Sequence, residues 1–343
     1  MTEQETIYTM ALTRTPRVNT ATQHRLMEEL GSATAVFDHC RHIRDFYPDA
    51  SDKLAAALQE MEAQVPRAEE ELEFSQKHHI KCLCYHDTDY PSRLQECDDA
   101  PLLLYYKGNA DLNRTHVINM VGTRHCTEYG KDICRRFVDE LATLCPDVLV
   151  VSGLAYGIDI HSHRAALDNG LDTVGVLAHG LDQIYPRLHR DTAIQMTSQG
   201  GLLTEFMSRT NADKVNFVRR NRIVAGMADA TIGRKGQRID YGRHRHELPP
   251  RCVRLSRPRE RPLLTRLQPP DTGQQSCPAA KRARFRGSHG MAISFIGKAK
   301  SRRHTRRTIP RLVRRGTAYC GLPAPVGMPA NQRTGRGDQP SGT

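Results

Sequence analysis

The stretch "DVLVVSGLAYGIDIHSHRAALDNGLDTVGVLAHG", Asp147 to Gly180, holds two short apolar runs on either side of a segment with helical spacing. Working outward, "HVINMVGTR" (116–124) and "GLLTEF" (201–206) add two more such runs, each bounded by Gly or a polar turn. Between the four lie "EYGKDICRRFVDELATLC" (128–145), "GIDIHSHRAALDNG" (157–170) and "HRDTAIQMTSQG" (189–200), all with helical periodicity. Strand and helix alternating at this spacing predict an α/β fold with a parallel sheet covered on both faces. Upstream, "NTATQHRLMEELGSATAVF" has a polar start, apolar Leu26, Leu30 and Val36, and Gly31 as a helix stop, so residues 1–75 read as a small helical domain. Residues 51–79 are acidic and amphipathic and read as a solvated helix. From Lys81 the texture becomes strand-like, ending in "PLLLYYKGN" (101–109).

The chain has 343 residues and a formal net charge of +12, but the sum hides two unlike halves. Residues 1–232 carry 24 Lys+Arg and 33 Asp+Glu, a net charge of −9, while residues 233–343 are net +21. The 10 cysteines and the polar start "MTEQETIYTM" suit a reducing cytosol better than a disulfide scaffold. Cys82 and Cys84 form a C-x-C with no second pair to complete a zinc site. No apolar run reaches the roughly 18 residues of a membrane span.

In an open parallel sheet, ligands bind beyond the carboxyl ends of the strands, near the point where strand order reverses. Those ends carry Gly122-Thr123-Arg124, Ser152-Gly153, His179-Gly180 and Glu205. Glycine there lets backbone amides approach an anion, which makes a phosphate site the natural inference; tight turns are the simpler alternative. The sequence lacks G-x-G-x-x-G after the first strand and lacks G-x-x-x-x-G-K-S/T. Spacing recommends no nucleophile–base pair, and Asp159, His161 and His163 are most simply residues at the start of a helix. "NADKVNFVRRNRIVAGMAD" gathers Lys214, Arg219, Arg220 and Arg222 around Asn216, Phe217 and Asn221 in an otherwise acidic half. Cations interleaved with an aromatic suit a single-strand channel, in which phosphate meets Arg or Lys and a base meets a ring face; a solvated basic helix end is the alternative.

"MVGTRHCTEYG", "VVSGLAYGIDIHSHRAAL", "GVLAHGLDQIYP", "GGLLTEF" and "NFVRRNRIVAGMADATI", in that order, closely resemble the DNA-processing family called DprA or Smf. The resemblance is strong over residues 80–232 and loose at the N-terminus. It implies an extended Rossmann-like domain that binds single-stranded DNA without hydrolysing nucleotides and needs no cofactor. It also implies a cytoplasmic homodimer that protects incoming DNA in natural transformation and helps load the RecA recombinase. Gly122, Thr123 and Arg124 match the family's G-S/T-R motif, with Arg124 on phosphate, and Ser152 and Gly153 would line the anion pocket. Lys214, Asn216, Phe217, Arg220, Asn221 and Arg222 match its basic segment. His189 departs from the Asn often found there. The alternative is a Rossmann-like nucleotide or phosphoribosyl hydrolase, whose P-G-G-x-G-T loop is missing from this sequence.

After "ADATI" (228–232) the family pattern stops and Arg, His and Pro take over. Written as degenerate codons and read one nucleotide later, residues 236–251 permit G-S-G-L-I-T-A-D-I-A-T-S-Y-H-R, and residues 251–270 permit D-V-F-A-F-P-G-R-V-N-D-P-Y-S-x-G-C-N-R-L. These resemble the family's missing segments in order, which implies a frame change near Gly233. On this reading residues 233–343 form a basic, disordered tail, and loss of the strands beyond "ADATI" exposes a sheet edge and weakens the dimer.

Overall fold

The computed structural model describes residues 2–234 and the backbones of three later strands, Cys252–Leu255, Ala283–Arg286 and Ala292–Phe295. The expectation for residues 233–343, including the shifted reading frame, otherwise lies outside the described residues. Six helices come first: α1 (Glu3–Arg14), α2 (Thr20–Leu30), α3 (Ala33–Asp38), α4 (Ile43–Phe46), α5 (Asp52–Gln59) and α6 (Val65–Lys77). Asn19 caps α2 at its start, accepting from the Thr22 amide, and Gly31 ends it in the left-handed conformation that glycine adopts without strain.

The sheet strands and their helices follow: β1 (Lys81–Cys84), α7 (Ser92–Gln95), β2 (Leu103–Gly108), β3 (Val117–Met120), α8 (Glu128–Leu144) and β4 (Leu149–Ser152). Then come α9 (Ile158–Asp168), β5 (Thr173–Val176), α10 (Arg190–Ser198), β6 (Gly200–Thr204), α11 (Lys214–Gly226), β7 (Ala230–Arg234) and β8 (Cys252–Leu255). The strand order is β1-β2-β6-β5-β4-β3-β7-β8, parallel from β6 to β8, with β2 antiparallel to β6 and β1 antiparallel to β2.

Every residue of β3 to β6 is buried, as expected of strands covered on both faces. On one face α8 presents Cys134, Phe137, Val138 and Leu141, a single stripe at helical spacing, to Ile118, Met120, Val150 and Ile232. Each large side chain buried this way contributes about 1.5–3 kcal/mol. On the other face Ile223 and Val224 of α11, with Met227 just beyond its end, pack with Val117, Leu149, Val151, Val174 and Val176.

β7 begins inside "ADATI" and pairs with β3, and β8 pairs with β7. The reason is local: Ala230 and Ile232 fall on the α8 face, where Ile232 is buried. Residues 51–79 are more than a solvated helix, because Ala57, Leu58, Ala68, Glu71 and Ser75 are buried. The helical domain shares one core with Leu103, Tyr105 and Met207 of the sheet domain.

From β3 the chain steps outward through β4, β5 and β6, and α11 then carries it back to lay β7 on the other side of β3. Strand order therefore reverses at β3, whose carboxyl end leads into Gly122-Thr123-Arg124. That is where such folds form a ligand crevice.

Candidate nucleic-acid interface

Helical period divides the basic segment into three faces. Lys214, Phe217 and Asn221, at i, i+3 and i+7, form one row; Asn216, Arg220 and Ile223 form a second, and all three of these are buried. The third carries Arg222, which donates to Asp99 O at 2.6 Å and to Glu205 Oε2 at 2.5 Å.

The first row meets the loop after β3. Arg124, exposed, lies 5.1 Å from the Phe217 ring centroid, and the Tyr185 ring lies 6.0 Å from the same centroid. Lys214 is exposed on the first turn of α11, whose N-terminus is capped by Asp213 through the Asn216 amide at 2.7 Å. Tyr185 is 50% exposed and Tyr156 is 43% exposed, so two further rings face solvent at this end of the sheet. Tyr156 packs edge-on against His189, which is buried and pairs through Nδ1 with Leu154 O at 2.9 Å. An Asn amide could donate the same bond.

Thr123 is exposed, and its carbonyl accepts from the Ile158 amide at 3.2 Å, stitching the loops after β3 and β4 together. Gly157 is needed at that seam: its φ is +81°, and a Cβ there would lie 2.0 Å from Thr123 O. Gly122, half-buried, similarly backs onto the Ile158 side chain.

The second row turns inward, beside Ser152 and Gly153, the expected lining of an anion pocket. Ser152 is fully buried, with its hydroxyl donating to Met120 O at 2.6 Å. Gly153 lies under the Arg220 guanidinium, and a Cβ there would come within 2.3 Å of Arg220 Nη1. Arg220, 4% exposed, donates to Gly153 O and Val176 O at the ends of β4 and β5 and to Asn221 Oδ1 at 3.2 Å. Burial lowers its pKa to about 10, opposed by the charge of Asp159. Asp159 is itself raised by burial, partly offset by Arg220 and by the Ala155 and Gly153 amides. Asn216 is equally committed, its Nδ2 donating to Asn211 O at 3.1 Å. Ser152, Gly153, Asn216, Arg220 and Arg222 thus brace this end of the sheet from within, while Thr123, Arg124, Lys214 and Phe217 lie at its surface.

Burial also settles the sequence's other chemistry. His163, completely buried, pairs with Thr173 Oγ1 at 2.7 Å and is pushed down to about 3 by burial. Burial raises Cys82 to about 11 and Cys84 to about 12, which keeps both thiols protonated. Among the described residues, no group of three or more His, Cys, Asp or Glu could hold a metal, and no helix is long and apolar enough to cross a membrane.

The family model for DNA recombination-mediator protein A matches residues 81–235. Residues 81–235 match the DprA/Smf family. DNA processing protein DprA of Streptococcus pneumoniae (strain ATCC BAA-255 / R6) is 37% identical over 146 residues, 43% of this chain and 51% of that relative. DprA of Bacillus subtilis (strain 168) is 33% identical over 186 residues, covering 54% of this chain and 62% of the relative. The X-ray structure of DprA from Streptococcus pneumoniae superposes with a TM-score of 0.56 at 28% identity, covering 68% of this chain and 77% of that one. The chain thus spans between half and two-thirds of these two curated relatives. Within the DprA/Smf motifs, the glycines at positions 153 and 157 are explained by packing against Arg220 and Thr123 before any ligand is considered.

Sequence reasoning missed Tyr156 and Tyr185. Each is a lone aromatic in a loop, and their only available signal was position at strand ends.

Proposed function

We propose that this chain binds single-stranded DNA across the carboxyl end of its sheet, as a binding protein and not as an enzyme. The observation that carries the reading is the Arg124–Phe217 stack, flanked by Tyr185 and by Lys214 one helical turn away. Exposed cations meet phosphates and exposed rings meet bases of any sequence, with each stacked base contributing about 1–3 kcal/mol. Turnover is disfavoured because Asp159 and His163 are held in the interior. The relatives' name, DNA processing protein, supports the same direction. The family resemblance extends the proposal to a cytoplasmic homodimer, weakened in this copy, that protects incoming DNA in transformation and delivers it to RecA.

The test is a salt titration of oligo-dT binding by the full-length chain and by Arg124→Ala and Lys214→Ala variants. Each variant should flatten the slope of log K against log salt by about 0.7, the contribution of one single-strand phosphate contact. Unchanged slopes and affinities in both variants would assign binding to the basic residues 233–343 instead.

A further inference from the structure

Building on the single-stranded-DNA reading, we propose that Glu71, in the N-terminal helical domain, is a positioning residue for the α11 contacts, acting through the loop that launches that helix. A buried ion pair is poor glue, because desolvation offsets the attraction between its charges. Glu71 is nevertheless 2% exposed and paired with Arg67 at 2.7 Å. Their remaining hydrogen bonds converge on one residue of the loop between β6 and α11. The Ser208 amide donates to Glu71 Oε1 at 2.8 Å, and its hydroxyl donates to Oε2 at 2.5 Å. Arg67 Nη2 donates to Ser208 O at 2.9 Å. Side chains of α6 thus take both backbone hydrogen-bonding groups of Ser208.

The consequences run along the loop. Arg209 follows at φ +65°, a strained conformation for a residue with a Cβ, with its guanidinium 2.9 Å from Glu70. The reversal brings Thr210 O to the Gly180 amide at 3.1 Å and to Gln183 Nε2 at 2.8 Å. Asn211 O then reaches Asn216, and Asp213 caps α11 just before Lys214. Mere docking of the helical domain would not need this arrangement, since the shared apolar core already joins it to Leu103, Tyr105 and Met207. The clamp fixes where α11 begins, and with it the placement of Lys214 and Phe217.

The experiment measures oligo-dT affinity by fluorescence anisotropy on the full-length chain, alongside melting. A loop in register only a tenth of the time raises the apparent Kd about tenfold, the loss expected for Glu71→Ala. Glu71→Gln, which keeps an acceptor for the Ser208 amide, should restore affinity to within about threefold by the same arithmetic. Leu26→Ala, a core change in the helical domain that leaves the Ser208 hydrogen bonds in place, should lower the melting midpoint yet leave affinity within about twofold. In a Lys214→Ala/Phe217→Ala background Glu71→Ala should cost less than about twofold, the non-additivity of residues acting through one another. Full additivity there, an unchanged affinity in Glu71→Ala, or an equal loss in Leu26→Ala would overturn the proposal and leave the DNA reading standing. Unchanged affinity in Lys214→Ala/Phe217→Ala itself would sink both. If Glu71→Ala does not fold, Ser208→Ala, which removes only the hydroxyl contacts, carries the same comparisons.

Discussion

Arg220 divides a structural account of the basic segment from a ligand-contact account. Replacing it with Ala removes the guanidinium donors from Gly153 O and Val176 O, in a site where Arg220 is 4% exposed. Each buried carbonyl left without a donor costs about 1–3 kcal/mol. The Asp159 charge also loses the favourable influence of Arg220, and a buried charge left uncompensated is costly. These contributions overlap, so about 3–5 kcal/mol is the expected total, a large share of the 5–15 kcal/mol that holds a typical domain together. Urea unfolding should show a lower midpoint at unchanged slope, and the melting temperature should fall by about 6–20 °C for a domain of this size. Arg220→Met/Asp159→Asn should recover part of the loss, because it removes both charges together. A variant with wild-type stability and a tenfold weaker hold on DNA would refute the bracing role.

Gly153→Ala puts a Cβ 2.3 Å from Arg220 Nη1 and should destabilise by about 1–3 kcal/mol, read from the same urea curves. Arg222→Ala strands Asp99 O and leaves Glu205 with the Arg219 contact alone, and should lower stability by about 1–3 kcal/mol while leaving oligo-dT affinity unchanged in anisotropy. His163 should make the fold acid-sensitive. Its folded pKa, about 3, lies below the unfolded value of 6.5, so its contribution is complete above pH 6.5 and is lost as pH falls toward 3. Between pH 7.5 and 5.5 the loss should be about 1 kcal/mol, and it should disappear in His163→Leu when unfolding midpoints are compared at the two pH values.

The parallel sheet was legible because β3 to β6 are buried on both faces and the helices between them keep their period. The edges were less so. β2 joins β6 antiparallel, an orientation that alternation alone does not specify, and β7 is read only when "ADATI" is taken as strand rather than as the end of a pattern. In the candidate site, strand-end position pointed to Arg124 and composition to Lys214 and Phe217, but composition treated four nearby cations as one surface. The helical period of α11 separates Arg220 and Arg222 from Lys214, and that period was already present in the sequence. Glu71 could not be found this way, because a glutamate in an acidic helix carries no mark of burial; only the proximity of Ser208, 137 residues away, reveals it.

On this proposal the DNA strand lies on the Phe217 side of the sheet's carboxyl end. Ultraviolet cross-linking of oligo-dT to the full-length chain, with the modified peptides identified by mass spectrometry, locates it. Adducts are expected on the peptides containing Phe217 and Tyr185, reduced in Arg124→Ala. Adducts confined to residues 233–343, and indifferent to Arg124, would contradict it.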